Sequence, residues 1–216
     1  MQTSEEIVLS KTGRPFAQKF FGPFAKLFVK AGISANVVTV VGTVLSCTIV
    51  LTLIPRNQLI AGSLLTTVAI LFDSLDGQIA RLTGTTSEWG AFLDSTLDRI
   101  ADAAVFVSVI LWGYFWAAHP EREWVMLGAL MALVFGSVVP YARARAEAIG
   151  KTAAVGIAER TDRLVFVGVC ALLVGLGASV WVLVAGLWLL AFAALVTVIQ
   201  RMYVVFQQCN QAQHNP

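Results

Sequence analysis

Four aspartates, Asp73, Asp76, Asp94 and Asp98, fall within residues 73–98, which read DSLDGQIARLTGTTSEWGAFLDSTLD. Asp73 and Asp76 are three positions apart, and Asp94 and Asp98 four, so each pair shares one face if its segment is helical. The stretch lies between LLTTVAILF and AAVFVSVILWGYFW, both apolar enough for membrane helices. An aspartate at the centre of such a helix costs about 2.5 to 3.5 kcal/mol on insertion scales. Four together, with only Arg81 and Arg99 close in sequence, call for a cation. An all-oxygen, multiply anionic set suits hard divalent ions, Mg2+ or Mn2+ before Zn2+. Two other readings are open to the same residues: ion pairs with Arg81 and Arg99, or a proton or ion route through a carrier. The acids are crowded at one end of their helices, which favours a localised site over a route.

A second constellation is basic. It comprises Arg143 and Arg145 in PYARARAEAIG, Arg160 and Arg163 in IAERTDRLV, and Arg201 in VIQR, with Lys151 between. Retention of positive charge at one membrane face, with contact to anionic lipid, accounts for such residues without a site. Guanidinium forks also match a phosphate dianion better than scattered lysines do, so these arginines are candidates for a phosphate-bearing substrate.

These residues need elements to carry them. The chain is 57% hydrophobic and 13% charged, with mean hydropathy +0.77. That excludes an ordinary soluble domain and predicts an all-α integral membrane protein. Residues 1–14 carry no run of signal-peptide length and are expected to be mobile. In residues 15–31, Phe16, Phe20, Phe24, Leu27 and Phe28 separate by helical angle from Lys19, Lys26 and Lys30, the pattern of an amphipathic helix in the membrane interface. Six spans follow, in a single membrane domain over 32–207: about Ser34 to Ile54, Leu59 to Leu82, Ser87 to Ala118, Glu123 to Ile149, Asp162 to Gly177 and Val180 to Phe206. Residues 208–216 read as a polar tail. Of the fifteen Lys and Arg residues, only Arg56 and Arg122 belong to the face opposite the aspartates. The positive-inside rule then puts both termini and the acidic cluster on the cytoplasmic side of the cell membrane. Cys47, Cys170 and Cys209 have neither disulfide nor metal spacing and read as structural thiols, and His119 and His214 are assigned no chemistry. Asp102 continues the Asp94–Asp98 stripe and is expected to pair with Arg99.

The pattern Asp73-x2-Asp76-Gly77-x2-Ala80-Arg81-x8-Gly90-x3-Asp94-x3-Asp98 resembles the complete signature of the CDP-alcohol phosphotransferases, integral membrane enzymes that move a phosphatidyl or similar group from a CDP-linked donor to an alcohol. The resemblance implies that Asp73, Asp76, Asp94 and Asp98 hold the metal and that Asp98 is also the base for the incoming hydroxyl. It implies room for the cytidine and diphosphate beside Gly77, Ala80 and Gly90, with Arg81 meeting the donor phosphates. Close helix packing at the small residues and an ion pair at Arg81 are alternatives. Ser87 reads as the cap of the third span, hence an anion site, in a loop that in the family contributes to nucleotide binding. Asn36 and Thr39 in SANVVT match a Pro-Asn-x-x-Thr turn that the family places near the CDP group, with Ala35 in place of the proline; capping accounts for Asn36 equally well.

Within the family, YARARAEAIG, ER-x2-RL and VIQR are similar to the actinobacterial phosphatidylinositol-phosphate synthases across essentially the whole chain. Arg143 stands where lysine is expected, and Pro140 where serine is expected. This similarity implies CDP-diacylglycerol and inositol 1-phosphate as substrates, with Arg143, Arg145, Arg160, Arg163 and Arg201 on the acceptor phosphate, and a homodimer in the membrane without a nucleic-acid partner. Glycerol 3-phosphate, which would use the same arginines, is the alternative acceptor. A cation-coupled carrier is the alternative from another class.

Overall fold

The computed structural model describes residues 27–157 and 160–214, and the side chains of all of these except 71–76, 78, 81 and 212–214. Residues 1–14 and most of the expected interfacial helix, with Phe16, Lys19, Phe20, Phe24 and Lys26, lie outside the described residues. Among the described residues there is no strand; a helical stretch at residues 27–30 is followed by α1 (Ala35–Leu53), α2 (Leu59–Thr83), α3 (Glu88–Trp116), α4 (Glu121–Ala148), α5 (Arg160–Gly175) and α6 (Val180–His214). Among the described residues, four helical segments are long and apolar enough to cross a bilayer: Ala35–Arg56, Glu88–Trp116, Glu121–Ala148 and Val180–Gln211. Helix α2 has 25 residues and opens with the apolar stretch Leu59–Ile70, and α5 has 16 residues. The chain is a multi-pass membrane protein.

Helices suit this sequence because lipid offers no partner to a polar group. Hydroxyls inside the spans accordingly donate to carbonyls of their own helix, as Thr39 does to Ala35 at 3.0 Å, Thr48 to Val44 at 2.7 Å and Thr66 to Gly62 at 2.6 Å. The last helix runs further than the apolar pattern predicts, to His214 rather than about Phe206. Its final stretch, QQCNQAQ, holds neither Gly nor Pro, and glutamine and alanine sustain a helix.

The chain forms two compact units. The first comprises Met1–Thr48 and Thr67–Ala101, the second Ile49–Thr66 and Asp102–Pro216. In the first, Ile79 of α2 is 1% exposed and packs against Phe28, Val29, Ala35 and Val38. Helix α2 stops at Gly84, whose φ of +64° a side chain would resist, and the Thr85 amide turns back to the Ala80 carbonyl at 3.0 Å. The short connection 84–87 therefore delivers the chain directly into the start of α3.

In the second unit α6 packs against α4 and α5. The buried positions are Val125, Ala129, Ala132 and Val139 on α4, and Leu183, Leu187, Leu190, Ala191 and Ala194 on α6, at three- and four-residue spacing. Small residues on α4 let the backbones approach: a Cβ on Gly128 would lie 3.0 Å from the Trp188 ring, and the Trp188 indole donates to the Trp124 carbonyl at 3.2 Å. Between α1 and α2, Pro55 forces a short 3-10 turn, and Asn57 takes a left-handed φ of 61°. Two indoles of α3 fasten that turn, Trp112 to Asn57 Oδ1 at 2.8 Å and Trp116 to the Pro55 carbonyl at 2.9 Å.

Candidate active site

The first unit gathers three of the residues singled out for donor binding. Ser87 caps α3, its Oγ accepting the Gly90 amide at 3.1 Å. A Cβ added to Gly90 would lie 3.3 Å from Ser87 Oγ and 3.4 Å from Asn36 Oδ1, so the opening turns of α1 and α3 adjoin at a residue without a side chain. Ser34, not Asn36, caps α1: its Oγ accepts the Val37 amide at 3.4 Å, and the Asn36 side chain reaches α3 instead. Thr39 is buried within the α1 face. Gly77 and Ala80 are half-buried on α2, and the side chain of Arg81 lies outside the described ones.

Past the cap, α3 carries Asp94 and Asp98 on successive turns, both half-buried, and the Asp98 side chain is 17% exposed. Asp98 Oδ2 lies 3.7 Å from the guanidinium of its neighbour Arg99. The backbone places Asp73 and Asp76 in the second half of α2, one turn apart; their side chains lie outside the described ones. Half-buried aspartates one turn apart, Asp94 and Asp98, offer the hard oxygen donors a Mg2+ or Mn2+ ion prefers, so the chemistry of the donor set fits such an ion. The helix start beside them, with amides facing outward and a hydroxyl cap, suits an anion.

The second unit gathers the arginines. Asp102 accepts Arg160 Nε at 2.7 Å on Oδ1, and its Oδ2 lies 3.8 Å from Arg163 Nη2. The ion pairs found for this aspartate are with the first turn of α5, which supplies two arginines three positions apart. Arg163 is buried and donates through Nη1 to the Gly136 carbonyl at 3.0 Å. Arg201 donates from Nε to the Val155 carbonyl at 2.8 Å and from Nη1 to the Val139 carbonyl. Arg163 from α5 and Arg201 from α6 therefore both end on α4 beside Pro140. Arg143 is exposed and pairs with Glu147 at 3.0 Å. Arg145 is exposed and has no ion pair among the described residues.

Helix α6 also holds the connection between α4 and α5. The Gln208 amide group accepts from the Thr152 amide at 3.0 Å and donates to the Thr152 carbonyl at 2.7 Å. Lys151 donates to the Gln208 carbonyl at 3.4 Å, and the Ile157 amide to Thr197 Oγ1 at 3.4 Å. Gly156 lies at φ +155°, and a Cβ there would lie 2.7 Å from a Thr197 methyl. Thr197, Arg201 and Gln208 thus fix the path of residues 151–157 into α5. Sequence reasoning marked Arg201 alone of the three, since glutamine and threonine on a long apolar helix carry no periodic signal.

Residues 32–199 match the sequence profile of the family described as CDP-alcohol phosphatidyltransferase. The chain is 37% identical over 217 residues to the phosphatidylinositol phosphate synthase of Streptomyces avermitilis, covering 97% of this chain and 87% of the relative. It is 41% identical over 199 residues to the enzyme of that name from Cutibacterium acnes, covering 89% and 95%. Among solved structures, it superposes with a TM-score of 0.79 at 37% identity on the Mycobacterium tuberculosis phosphatidylinositol phosphate synthase with CDP-DAG bound, covering 85% of this chain and 92% of the other. The same mycobacterial enzyme in complex with manganese and citrate gives a TM-score of 0.80, covering 85% and 88%.

Proposed function

The chain belongs to the CDP-alcohol phosphatidyltransferase family, and on that premise we propose that it transfers the phosphatidyl group of CDP-diacylglycerol to inositol 1-phosphate, giving phosphatidylinositol phosphate and CMP. The observation that carries the reading is similarity at 37% to 41% identity, over most of the chain, to enzymes named for that product. The metal signature and the basic set are both present in this sequence beside it.

Asp73, Asp76, Asp94 and Asp98 would hold a divalent ion, Mg2+ or Mn2+, which when bound neutralises the diphosphate oxygens and makes the phosphorus more electrophilic. Asn36, Thr39, Gly77, Ala80, Arg81, Ser87 and Gly90 receive the CDP portion. The capped start of α3 offers backbone amides to its diphosphate. Asp98 takes the proton of the acceptor hydroxyl as its oxygen bonds to the phosphorus that carries the diacylglycerol. The bond from that phosphorus to the bridging oxygen breaks, and CMP leaves with the electron pair. Arg143, Arg145, Arg160, Arg163 and Arg201 serve the phosphate of the acceptor, as a basic set suits a dianion.

The working form we propose is a homodimer in the cell membrane, with six crossings and residues 15–31 lying in the interface. Helices α2 and α5 supply the two further crossings, their charged ends at the headgroups. The distribution of Lys and Arg favours cytoplasmic termini and a cytoplasmic active site.

The test is CMP release by the purified protein in detergent with CDP-diacylglycerol. Inositol 1-phosphate, inositol, glycerol 3-phosphate and serine are compared, with Mg2+, Mn2+ or EDTA. Release only with inositol 1-phosphate and metal is the expected result. Release with glycerol 3-phosphate in its place would overturn the acceptor, and no release with any acceptor would overturn the reaction.

A further inference from the structure

Lysine and arginine collect at one face of a membrane protein and are scarce at the other. Arg56, between α1 and α2, and Arg122, in the first turn of α4, are the two on the sparse face of this sequence. The structure brings both to the end of α3. Trp112 donates to Asn57 Oδ1 at 2.8 Å and Trp116 to the Pro55 carbonyl at 2.9 Å, so Arg56 stands between two residues that α3 holds. Arg122 Nε donates to the carbonyl of Ala117, the residue after Trp116, at 3.1 Å. Both arginines are exposed, and neither has an ion pair among the described residues. With its Nε committed to a carbonyl, Arg122 keeps two terminal nitrogens for another partner, in a plane already fixed.

The side chains alongside mark the level in the bilayer. Tyr114 and Phe115 meet edge to face at 5.1 Å, and these two, Trp116 and Trp124 are 46% to 59% exposed. Exposed tyrosine and tryptophan at the end of a span sit where hydrocarbon gives way to headgroups. The geometry points to a headgroup site at this end of α3, where Arg56 and Arg122 take the phosphodiester of a zwitterionic phospholipid such as phosphatidylethanolamine. Charge balance selects the class. Glu121 and Glu123 flank Arg122 in sequence, and Glu123 Oε2 lies 3.1 Å from His119 Nδ1. Two guanidinium groups and two carboxylates suit a headgroup that carries both a phosphate and an ammonium, whereas a purely anionic one would meet repulsion from the glutamates. The bond from Arg122 to Ala117 would close the end of α3 without any ligand. It gives no reason for Arg56, whose exposed side chain makes no hydrogen bond among the described residues. The site lies at the end of α3 remote from Asp94 and Asp98 and takes no part in transfer.

The test reads the thermal midpoint of the full chain in neutral detergent, with and without added phosphatidylethanolamine or phosphatidylglycerol. Phosphatidylethanolamine should raise the midpoint of the unaltered protein by about 5 °C. Arg56→Gln and Arg122→Gln should each keep about half of that rise or less, since losing a charged hydrogen bond weakens the lipid about 10-fold. Arg122→Gln also gives up the bond to Ala117, so its midpoint without lipid falls. Arg56→Gln should leave the lipid-free midpoint within about 1 °C and CMP release within about 2-fold, so its lost lipid response is one that a structural role would not produce. A full rise in Arg56→Gln overturns the proposal, as does no rise in the unaltered protein. An equal or larger rise with phosphatidylglycerol, lost in the same variants, would overturn the zwitterionic assignment. Should Arg122→Gln fail to fold, Arg56→Gln decides alone. The midpoints stand whether or not any acceptor gives CMP release, so failure of the functional reading is seen separately.

Discussion

Asn36 Oδ1 sits 3.4 Å from the point where a Cβ on Gly90 would stand, and Ser87 Oγ 3.3 Å from it. The first is at the edge of ordinary van der Waals contact and the second slightly tighter, so a methyl group there crowds the Asn36 side chain and presses on the Ser87 cap of α3. Gly90→Ala is expected to raise the KM for CDP-diacylglycerol about 10-fold, leaving the acceptor KM within about 2-fold. An unchanged donor KM would remove the Asn36–Gly90 junction from donor binding.

Asp98→Asn keeps the size of the side chain and removes its capacity to take a proton. Turnover should fall by about 10^2- to 10^4-fold while CDP-diacylglycerol binding, measured directly, changes little. EDTA should abolish turnover of the unaltered protein, with recovery on adding Mg2+ or Mn2+. Retained turnover in Asp98→Asn would take the base away from this residue.

Arg145 and Arg201 separate charge from architecture. Arg201 ties α6 to the Val155 and Val139 carbonyls, whereas Arg145 is exposed. Arg201→Ala should raise the acceptor KM and also lower the thermal midpoint by several degrees, about 1 to 3 kcal/mol of lost bonding. Arg145→Ala should raise the acceptor KM and leave the midpoint within about 1 °C. Equal midpoints for the two variants would contradict the clamp that Arg201 makes.

Gln208→Ala removes a side chain that both accepts from and donates to Thr152. The amide of Thr152 should exchange faster by about 5-fold, corresponding to about 1 kcal/mol of local opening. The core of α4 and α6 should keep its protection. Unaltered exchange at Thr152 would show that the connection holds its course without Gln208.

The helices and the acidic signature were legible because lipid leaves the chain few options. Apolar runs of about twenty residues must be helical there, and carboxylates beside them stand out. Among the described residues, four of the six expected crossings meet the length and apolarity of a span, whereas α5, with 16 residues, is shorter. What the sequence concealed is tertiary. Asp102 sits three residues from Arg99, yet its partner at 2.7 Å is Arg160, 58 positions away. The meeting of Pro140, Gly136 and Arg163 could be suspected only as far as a proline must strand a carbonyl somewhere; no spacing rule says which side chain will come to it. The cap at Ser87 was readable, being local, whereas for Asn36 the sequence left capping and a place in the donor site equally open; Ser34 makes the cap, and the Asn36 side chain lies beside Gly90 of α3.

The binding of residues 151–157 along α6 bears on where the chain can be interrupted. With its lysine, threonine and glycine, this connection has the composition of a place that tolerates an inserted epitope or a protease site. Its peptide groups are already spoken for at Thr152, Val155 and Ile157, so added residues would shift the register of every bond into α5. The turn at 176–179 is bonded only through the ends of α5 and α6 among the described residues, with Gly177 at φ +101°. A tag placed there would lengthen a turn without unpairing anything beyond it, and that is the position at which the enzyme can be labelled or cut while its two sets of charged residues are left undisturbed.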